Sequence, residues 1–395
     1  MQELPRRFAI VGPGRVGHAL GLALAARGLV PVGVWGRAVP VAAPDLVPSG
    51  REGRPGGEGR PAGERAASAT PAPGERLARL ASELNTRART TPTPELREAD
   101  WLFLTVPDRE LAAVAQLFHQ SGLVRPDAVW IHTAGVYGVE VLPAGRPRLA
   151  LHPAASISGK PEEVEGLTWA VEVAEAGRET PDFARLTENT NAAGPAGPAR
   201  PAGEAGKAAA EIVALLGGRM VLVPGERRAF YHAATALAAN LSAAVWLLAE
   251  DMLKAAGFSP DDAHQTVMRL ARSSLANVEQ AGAAGVTGPV RRGDLETVQR
   301  HLQALAAFAA PSASGRPTGC TSGGTASGTA SRPSGRSFAV NAAGLYRRLS
   351  FLLACELANH GLLTPADVLE WERVLSTGDT PSTGDQANGT RQNRS

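Results

Sequence analysis

The sequence predicts an α/β domain with a doubly wound, mostly parallel sheet, followed by an all-α C-terminal domain. Two patterns carry this prediction. From residue 8 to residue 223, short apolar runs alternate with helical patterns, which is typical of βαβ units. Beyond Pro224, apolar residues recur only at the three- and four-residue spacing of helices. A chain of 395 residues is long enough for two such domains.

The first element is the stretch Phe8–Gly28, FAIVGPGRVGHALGLALAARG, which reads as strand, glycine turn and helix. Its glycines follow the G-x-G-x-x-G spacing, with an apolar strand before them and helix formers after them. Such glycines permit the turn, let the backbone approach a pyrophosphate and let the helix pack closely on the strand. The stretch therefore predicts a Rossmann dinucleotide-binding domain. Its expected cofactor contacts are Gly12, Pro13, Gly14, Arg15, Val16 and Gly17.

The second strand, predicted at 32–35, ends at the position that selects the cofactor. An acidic residue there binds the ribose 2′-hydroxyl of NAD, whereas an arginine pairs with the 2′-phosphate of NADP. The sequence has Arg37 and no Asp or Glu before Asp45. NADP is therefore favoured over NAD, with an ordinary solvated Arg37 as the alternative.

Three further apolar strands are predicted, at 99–107, 128–133 and 148–152. The carboxyl ends of parallel strands meet at one edge of the sheet, and ligands bind outside that edge. The loops that follow these strands are therefore expected to line one crevice with the glycine turn. This adds Val106, Pro107 and Thr133 as cofactor contacts and His152 as a substrate contact.

The remaining elements complete two domains, predicted at 1–223 and 224–375. The first domain gains strands at 167–173 and 219–223 and helices at 75–84, 109–119 and 207–216. The second consists of helices at 226–256, 260–281, 295–309, 342–360 and 365–375. Segments rich in Pro, Gly, Ala and Ser predict disordered inserts at about 40–74, 187–206 and 311–337 and a disordered tail at 376–395.

Two polar residues on the first helix of the second domain are the catalytic candidates. His232 and Asn240 stand eight residues apart, so on a straight helix they share one face with Ala236. An imidazole suits acid or base work near neutral pH. Catalysis by this pair is one interpretation, and the satisfaction of buried polar neighbours is the other.

The loop TGPVRRGD, between two predicted helices, offers an anion contact through Thr287 and Arg292, which we expect to bind substrate. The same loop also suits a plain helix connector, with Asp294 capping the next helix.

Composition excludes several classes of function. The net charge is +2 without a basic face, so no nucleic-acid partner is expected. Two cysteines exclude a disulfide framework and a four-cysteine zinc site, and the histidines lack metal-ligand spacing. The longest apolar stretch, 233–248, is too short for a membrane span and carries Asn240 and Ser242. We therefore expect a cytoplasmic protein without a membrane partner.

Taken together, the motifs resemble a family of Rossmann-like proteins whose helical half is known as domain of unknown function 2520. The motifs are VGPGRVGHAL, LTVPD, IHTAG, LHP, FYHAA and TGPVRRGD. The family is similar, more distantly, to pyrroline-5-carboxylate reductase, ketopantoate reductase and the β-hydroxyacid dehydrogenases. The resemblance implies an oxidoreductase that pairs through its helical domain. The dehydrogenases carry a catalytic Lys four residues before the Asn, where this chain has Ala236, which leaves His232 as the candidate for proton transfer.

The sequence thus predicts an NADP-dependent oxidoreductase that moves a hydride between the nicotinamide and a small carbonyl, imine or hydroxyl substrate. We expect a homodimer formed through the helical domain. The alternative is an NADP-binding sensor or regulatory protein that has the same fold but no turnover, which the absent Lys favours.

Overall fold

The computed structural model describes residues 5–37, 72–176, 203–309 and 335–376. Most of the three predicted inserts and nearly all of the predicted tail lie outside these residues. The contacts divide the chain into two units, Met1–Asn240 and Leu241–Ser395. This division falls within the first long helix beyond the sheet. The boundary predicted from the sequence, between residues 223 and 224, lies before that helix.

The first unit contains a single eight-stranded sheet. Its strands are β1 Arg7–Val11, β2 Val30–Trp35, β3 Ala88–Arg89, β4 Trp101–Leu104, β5 Val129–His132, β6 Arg148–Pro153, β7 Thr168–Ala174 and β8 Arg219–Leu222. They lie in the order β3-β2-β1-β4-β5-β6-β7-β8. All pairs from β3 to β6 are parallel, β7 is antiparallel to β6, and β8 is parallel to β7. The prediction of a doubly wound, mostly parallel sheet is confirmed.

Helices of the first unit lie between the strands, except for the last one, which follows β8. They are α1 Arg15–Ala25, α2 Pro73–Glu83, α3 Asp108–Gln120, α4 Gly203–Leu215 and α5 Gly225–Ala236. The second unit contains α6 Ser242–Ala255, α7 Pro260–Ala281, α8 Leu295–Ala309, α9 Gly335–Asn359 and α10 Pro365–Ser376. The all-α character predicted for the C-terminal part is confirmed.

The described ends of all three predicted inserts are helical, because α2 begins at Pro73, α4 at Gly203 and α9 at Gly335, so those insert boundaries were wrong. The Glu75 carboxylate accepts a hydrogen bond from the Ala72 amide at 3.0 Å, which stabilises the start of α2. The Glu175 carboxylate accepts from the amides of Glu204 and Ala205 at 3.1 and 3.0 Å at the start of α4. A cap from Glu175, distant along the chain, is not readable from the local composition.

The central strands of the sheet are buried on both faces. In β1, Phe8 and Ile10 belong to one apolar cluster, whereas Ala9 and Val11 belong to another. The residues of β4 alternate in the same way, and all of them are buried. Burial on both faces explains why the strands read as continuous apolar runs.

A π-helical turn, Leu237–Leu241, joins α5 to α6 in a helical stretch of 31 residues, Gly225–Ala255. Of the described helices, this stretch alone has the length and composition of a membrane span, with a mean hydropathy of 1.4 in its most apolar window. The sequence analysis expected the apolar segment 233–248 to be too short to span a membrane. That expectation was wrong about the length of the helix, because the helix continues beyond this segment at both ends.

The second unit has an apolar core of its own, which includes Val298, Leu302, Leu357 and Trp371. A side-chain cap begins α7. The Ser259 hydroxyl accepts a hydrogen bond from the Asp262 amide at 3.1 Å at the start of this helix.

Candidate functional site

The glycine turn after β1 is fixed by the ends of β2 and β4. The Gly12 amide donates to the Trp35 carbonyl at 2.8 Å, and the Thr105 hydroxyl donates to the Gly12 carbonyl at 2.6 Å. Gly12 has a φ of +103°, and a Cβ there would lie 2.7 Å from the Thr105 carbonyl carbon. Both the conformation and the space therefore require glycine.

Packing requires a glycine at position 17 but not at position 14. A Cβ at Gly17 would lie 2.3 Å from both the Gly12 oxygen and the Thr105 Oγ1, so the packing of α1 on β1 excludes any side chain. At Gly14 the nearest atom would be the Thr105 oxygen at 3.6 Å, an ordinary contact. The space before the N-terminus of α1 is thus left open, which fits the pyrophosphate of a dinucleotide.

A cavity of about 380 Å³ adjoins this turn. Its volume lies in the range of small-molecule sites. Trp35, Arg76, Thr105 and Glu110 are among its lining residues, together with six of the predicted cofactor contacts. Those six are Gly12, Pro13, Gly14, Arg37, Val106 and Pro107.

Four charged side chains line the cavity: Arg37, Arg76, Arg109 and Glu110. The Arg37 guanidinium forms an ion pair with Glu110, and the Arg109 Nε lies 3.5 Å from the same carboxylate. The hydrogen bond from Arg37 lowers the pKa of Glu110, so this carboxyl is ionised at neutral pH. Arg37 is therefore paired at the cavity, although its side chain is 65% exposed.

The other predicted cofactor contacts lie around this turn and at the next strand ends. Arg15 and Val16 open α1, and the Arg15 side chain is exposed. Gly17 is buried within the turn. Thr133 follows β5 and is half-buried.

A second group of polar residues gathers where β5 and β6 end and α5 begins. The His152 Nδ1 lies 2.8 Å from the Tyr231 hydroxyl. The rings of His152 and His232 meet edge-on, with centroids 5.5 Å apart. A Cβ at Gly135 would lie 2.2 Å from the His232 Nδ1 and 2.9 Å from the His152 Nε2. Glycine at this position therefore permits the two rings to approach the loop after β5.

A buried carboxylate holds α5 against the sheet. Glu172 on β7 accepts hydrogen bonds from the Gly225 amide at 3.0 Å and from the Val139 amide at 3.1 Å. A carboxylate at a helix N-terminus is stabilised by the helix dipole. Within the first turn of α5, the fully buried Arg228 donates from Nη2 to the Ala134 carbonyl at 3.2 Å. These contacts fix the helix face that carries Tyr231 and His232.

Burial sets the charge states of the cluster. Burial raises the pKa of Glu172 and lowers the pKa of Arg228. It also lowers the pKa of His152 to about 4, and the electrostatic effects of His232 and Arg228 lower this pKa as well. His152 is therefore a neutral imidazole at neutral pH.

His132 is fully buried within the sheet. Its Nδ1 accepts from the Ala134 amide at 3.2 Å, so the Nε2 donates to the Gly138 carbonyl at 3.0 Å. Burial lowers its pKa to about 3.

Asn240 does not share the face predicted for it. It lies in the π-helical turn and is exposed, whereas His232 is half-buried. A π turn inserts an extra residue and rotates the following residues by roughly 100° relative to a straight α-helix. Spacing of eight residues therefore no longer places Asn240 above His232.

Thr287 and Arg292 belong to the second unit and are not among the groups that the first unit brings together. The Arg292 amide bonds the carbonyls of Gly288 and Pro289, as in a tight turn. The Asp294 carboxylate accepts from the Thr297 amide at 3.0 Å at the start of α8. These are the hydrogen bonds of a helix connector.

Within the described parts of the chain, no group of three or more His, Cys, Asp or Glu side chains could hold a metal ion.

Sequence reasoning missed Glu172, Arg228 and Tyr231. One signal was present for Glu172, the single charge within the apolar strand TWAVEVA. Arg228, Tyr231 and His232 follow the spacing of one helix face, but nothing in the sequence says which face meets the sheet.

A pair of glycine variants separates folding from ligand binding at the turn. Gly17→Ala should lower the free energy of unfolding by about 1–3 kcal/mol, because its Cβ overlaps the Gly12 and Thr105 oxygens. Gly14→Ala should cost less than about 1 kcal/mol and weaken NADPH and NADH binding at least tenfold. Urea unfolding and calorimetric titration measure both effects. Unchanged dinucleotide affinity in Gly14→Ala would contradict the pyrophosphate site.

Two family models match parts of the chain. The chain matches the model of a Rossmann-like domain over residues 66–153 and that of a domain of unknown function, DUF2520, over residues 201–314. No curated protein matches the sequence.

Among solved structures, the chain is similar to a proposed NADP oxidoreductase from Bacteroides fragilis, with 16% identity and a TM-score of 0.53 over 89% of this chain and 98% of that one. A protein from Thermotoga maritima gives 18% identity and a TM-score of 0.49 over 76% and 90% of the two chains. A pyrroline-5-carboxylate reductase from Coxiella burnetii gives 12% identity and a TM-score of 0.41, over 94% of this chain and 99% of that one. At such identities the likeness shows the fold alone. The chain carries a Rossmann-like domain followed by a DUF2520 domain, as its motifs predicted.

Proposed function

We propose that this protein is an oxidoreductase that transfers a hydride between a nicotinamide dinucleotide and a small carbonyl, imine or hydroxyl compound. The observation that carries the proposal is the placement of two polar sites at the carboxyl edge of one sheet. The glycine turn and its cavity lie at the ends of β1, β2 and β4, and the cluster around His152 lies at the ends of β5 and β6. A dinucleotide bound across a parallel sheet follows this edge.

The spacing of the two sites supports a single extended ligand. Neighbouring strands lie about 4.8 Å apart, so β1 and β6, separated by β4 and β5, are roughly 15 Å apart. With the pyrophosphate at α1, one end of the dinucleotide enters the cavity beside Trp35, and the other extends toward His152. The neighbour from Bacteroides fragilis, described as an NADP oxidoreductase, is consistent with this use of the fold.

We further propose NADP rather than NAD as the cofactor. Three arginines, Arg37, Arg76 and Arg109, line the cavity against one carboxylate, Glu110. A guanidinium binds phosphate through charge-assisted hydrogen bonds. The ion pair with Glu110 keeps Arg37 at the cavity before the phosphate arrives.

Removing the Arg37 guanidinium should weaken NADPH binding selectively. Arg37→Ala is expected to raise the Kd for NADPH about tenfold or more and to leave the Kd for NADH within about twofold, because only NADPH offers a phosphate partner. Arg79→Ala is the matched control, since Arg79 is also 65% exposed and paired with a glutamate, but does not line the cavity. Calorimetric titration measures all four affinities. Equal wild-type affinities for NADPH and NADH would contradict the role of Arg37.

At the other end of the dinucleotide, the imidazoles of His152 and His232 border the space for the substrate. A bound nicotinamide supplies or accepts the hydride. The half-buried rings of His152 and His232 orient the oxygen or nitrogen of the substrate by hydrogen bonding and exclude water from one side.

Turnover tests the proposed reaction directly. Wild-type protein should oxidise NADPH in the presence of at least one member of a panel of aldehydes, keto acids and cyclic imines, followed by absorbance. His232→Ala should then lower kcat at least tenfold, because the substrate loses an orienting group. NADPH binding without turnover on any substrate would favour the sensor alternative, and an unchanged rate in His232→Ala would exclude a role for that ring.

We also propose that a second copy of the chain covers an apolar surface of the helical unit. Leu247 on α6 and Leu270 and Leu275 on α7 are 62, 64 and 68% exposed. Exposed apolar residues in such numbers mark an interaction surface. A membrane fits the helix less well, because the contacts of Glu172, Arg228 and Tyr231 hold its first turns on the sheet. A surface formed by exposed leucines can be complementary to itself, as a twofold interface requires.

Charge on this surface should prevent pairing. The wild-type protein is expected to sediment as a dimer. The double variant Leu270→Asp/Leu275→Asp is expected to sediment as a monomer, because a twofold interface would bury the new carboxylates of both copies. Val221→Asp, at an exposed position on β8 in the first unit, is the control and should stay dimeric. A monomeric wild-type protein, or one that floats with lipid vesicles, would contradict the proposal.

A further inference from the structure

We propose that Tyr231 is the proton donor of the reduction and that His152 positions its hydroxyl and returns its proton. This inference rests on the proposed oxidoreductase function and assigns the proton to a residue that was not among the catalytic candidates of the sequence analysis.

The hydrogen bond between the two side chains is the first support. The Tyr231 hydroxyl lies 2.8 Å from the His152 Nδ1, and the two rings meet edge-on. A neutral imidazole carries one N–H. The His152 Nε2 has no hydrogen-bond partner within the described residues and lies on the side of Gly135. With the hydrogen on Nδ1, His152 donates to the phenolic oxygen, and the phenolic hydrogen is available to a substrate.

One neighbouring charge, that of Arg228, favours loss of that hydrogen. Arg228 lies one helical turn before Tyr231 and is fully buried, so its positive charge acts through a medium of low dielectric. Burial raises the pKa of Tyr231, and the Arg228 charge acts against this rise. The other titratable groups of the cluster are His132 on β5, Glu140 after β5, Glu172 on β7 and His232 on α5.

His232 is less suited to donate the proton. Its Nδ1 is buried and has no hydrogen-bond partner within the described residues. A Cβ at Gly135 would lie only 2.2 Å from that nitrogen, so the loop after β5 closes it off. The ring instead packs on His152, which fits an orienting role.

The proton balance of the step is simple. As the hydride carbon–hydrogen bond forms, the Tyr231 O–H bond breaks and its proton forms the new O–H or N–H bond of the product. Tyrosinate then takes the proton from the His152 Nδ1 while Nε2 takes one from solvent, which leaves a neutral ring with its hydrogen on Nε2. Before the next turnover the ring returns to the Nδ1–H tautomer by exchanging this proton with solvent, with no net change in charge. One solvent proton is consumed for each hydride transferred.

The direction of the hydrogen bond can be tested without cofactor or substrate. The chain has three tyrosines, so the ultraviolet difference between wild type and Tyr231→Phe isolates the ionisation of Tyr231. A stopped-flow pH jump records it before the protein unfolds. If Nδ1–H donates to the phenolic oxygen, it stabilises tyrosinate, and His152→Phe should move the titration of Tyr231 to higher pH by about one to two pH units.

The opposite hydrogen bond gives the opposite result. If the Tyr231 hydroxyl donates to Nδ1, the neutral phenol is the stabilised form, and His152→Phe should move the titration to lower pH or leave it in place. Either of these outcomes would overturn the assignment.

Kinetics test the same residue in the reaction. With any substrate that is reduced, Tyr231→Phe should lower kcat at least 100-fold and leave the Kd for NADPH unchanged. Tyr346→Phe is the matched control, because Tyr346 bonds the His301 Nδ1 at 2.7 Å in the second unit. It should keep the wild-type rate. Reduction at the wild-type rate by Tyr231→Phe would remove Tyr231 as donor while leaving the proposed function intact. If no substrate reacts, the proposed function fails, and the titration still decides the hydrogen bond.

Discussion

The candidate reaction site depends on one buried carboxylate, Glu172. Its two oxygens accept the amides of Val139, after β5, and Gly225, at the start of α5. Burying a charged group is costly unless it is hydrogen-bonded and paired, and here the helix N-terminus and the charge of the buried Arg228 meet that need. The same contacts determine which face of α5 meets the sheet. They therefore decide that Tyr231 and His232, rather than their neighbours, reach His152.

At the carboxyl edge of the sheet, the glycine turn after β1 is positioned by backbone packing rather than by charge. Thr105 binds the Gly12 carbonyl and leaves no room for side chains at Gly12 or Gly17, whereas the space at Gly14 stays open. One half of the edge thus offers amide groups and a cavity with arginines, as a phosphate-bearing ligand requires. The other half offers the neutral imidazole of His152 and the phenol of Tyr231, as proton transfer requires. A parallel sheet brings both halves together because all its strands from β3 to β6 end at one edge.

Local patterns predicted the sheet, the glycine turn and the helical second unit, because apolar periodicity and glycine spacing report directly on strands, helices and turns. They also pointed to Arg37 and Val106, which line the cavity. They failed where distant residues decide the outcome. Glu175 caps a helix far along the chain, and the π turn displaces Asn240 from the predicted face. The bond between Tyr231 and His152 joins residues on different elements, so no local spacing could predict it.

A crystal structure with bound NADP⁺ tests the central claim most directly, because it shows both ends of the edge at once. We expect the pyrophosphate at Gly14, the adenosine phosphate beside Arg37, and the nicotinamide ring next to the space bordered by His152 and Tyr231. A pyrophosphate away from the N-terminus of α1, or a nicotinamide that extends away from β5 and β6, would contradict it.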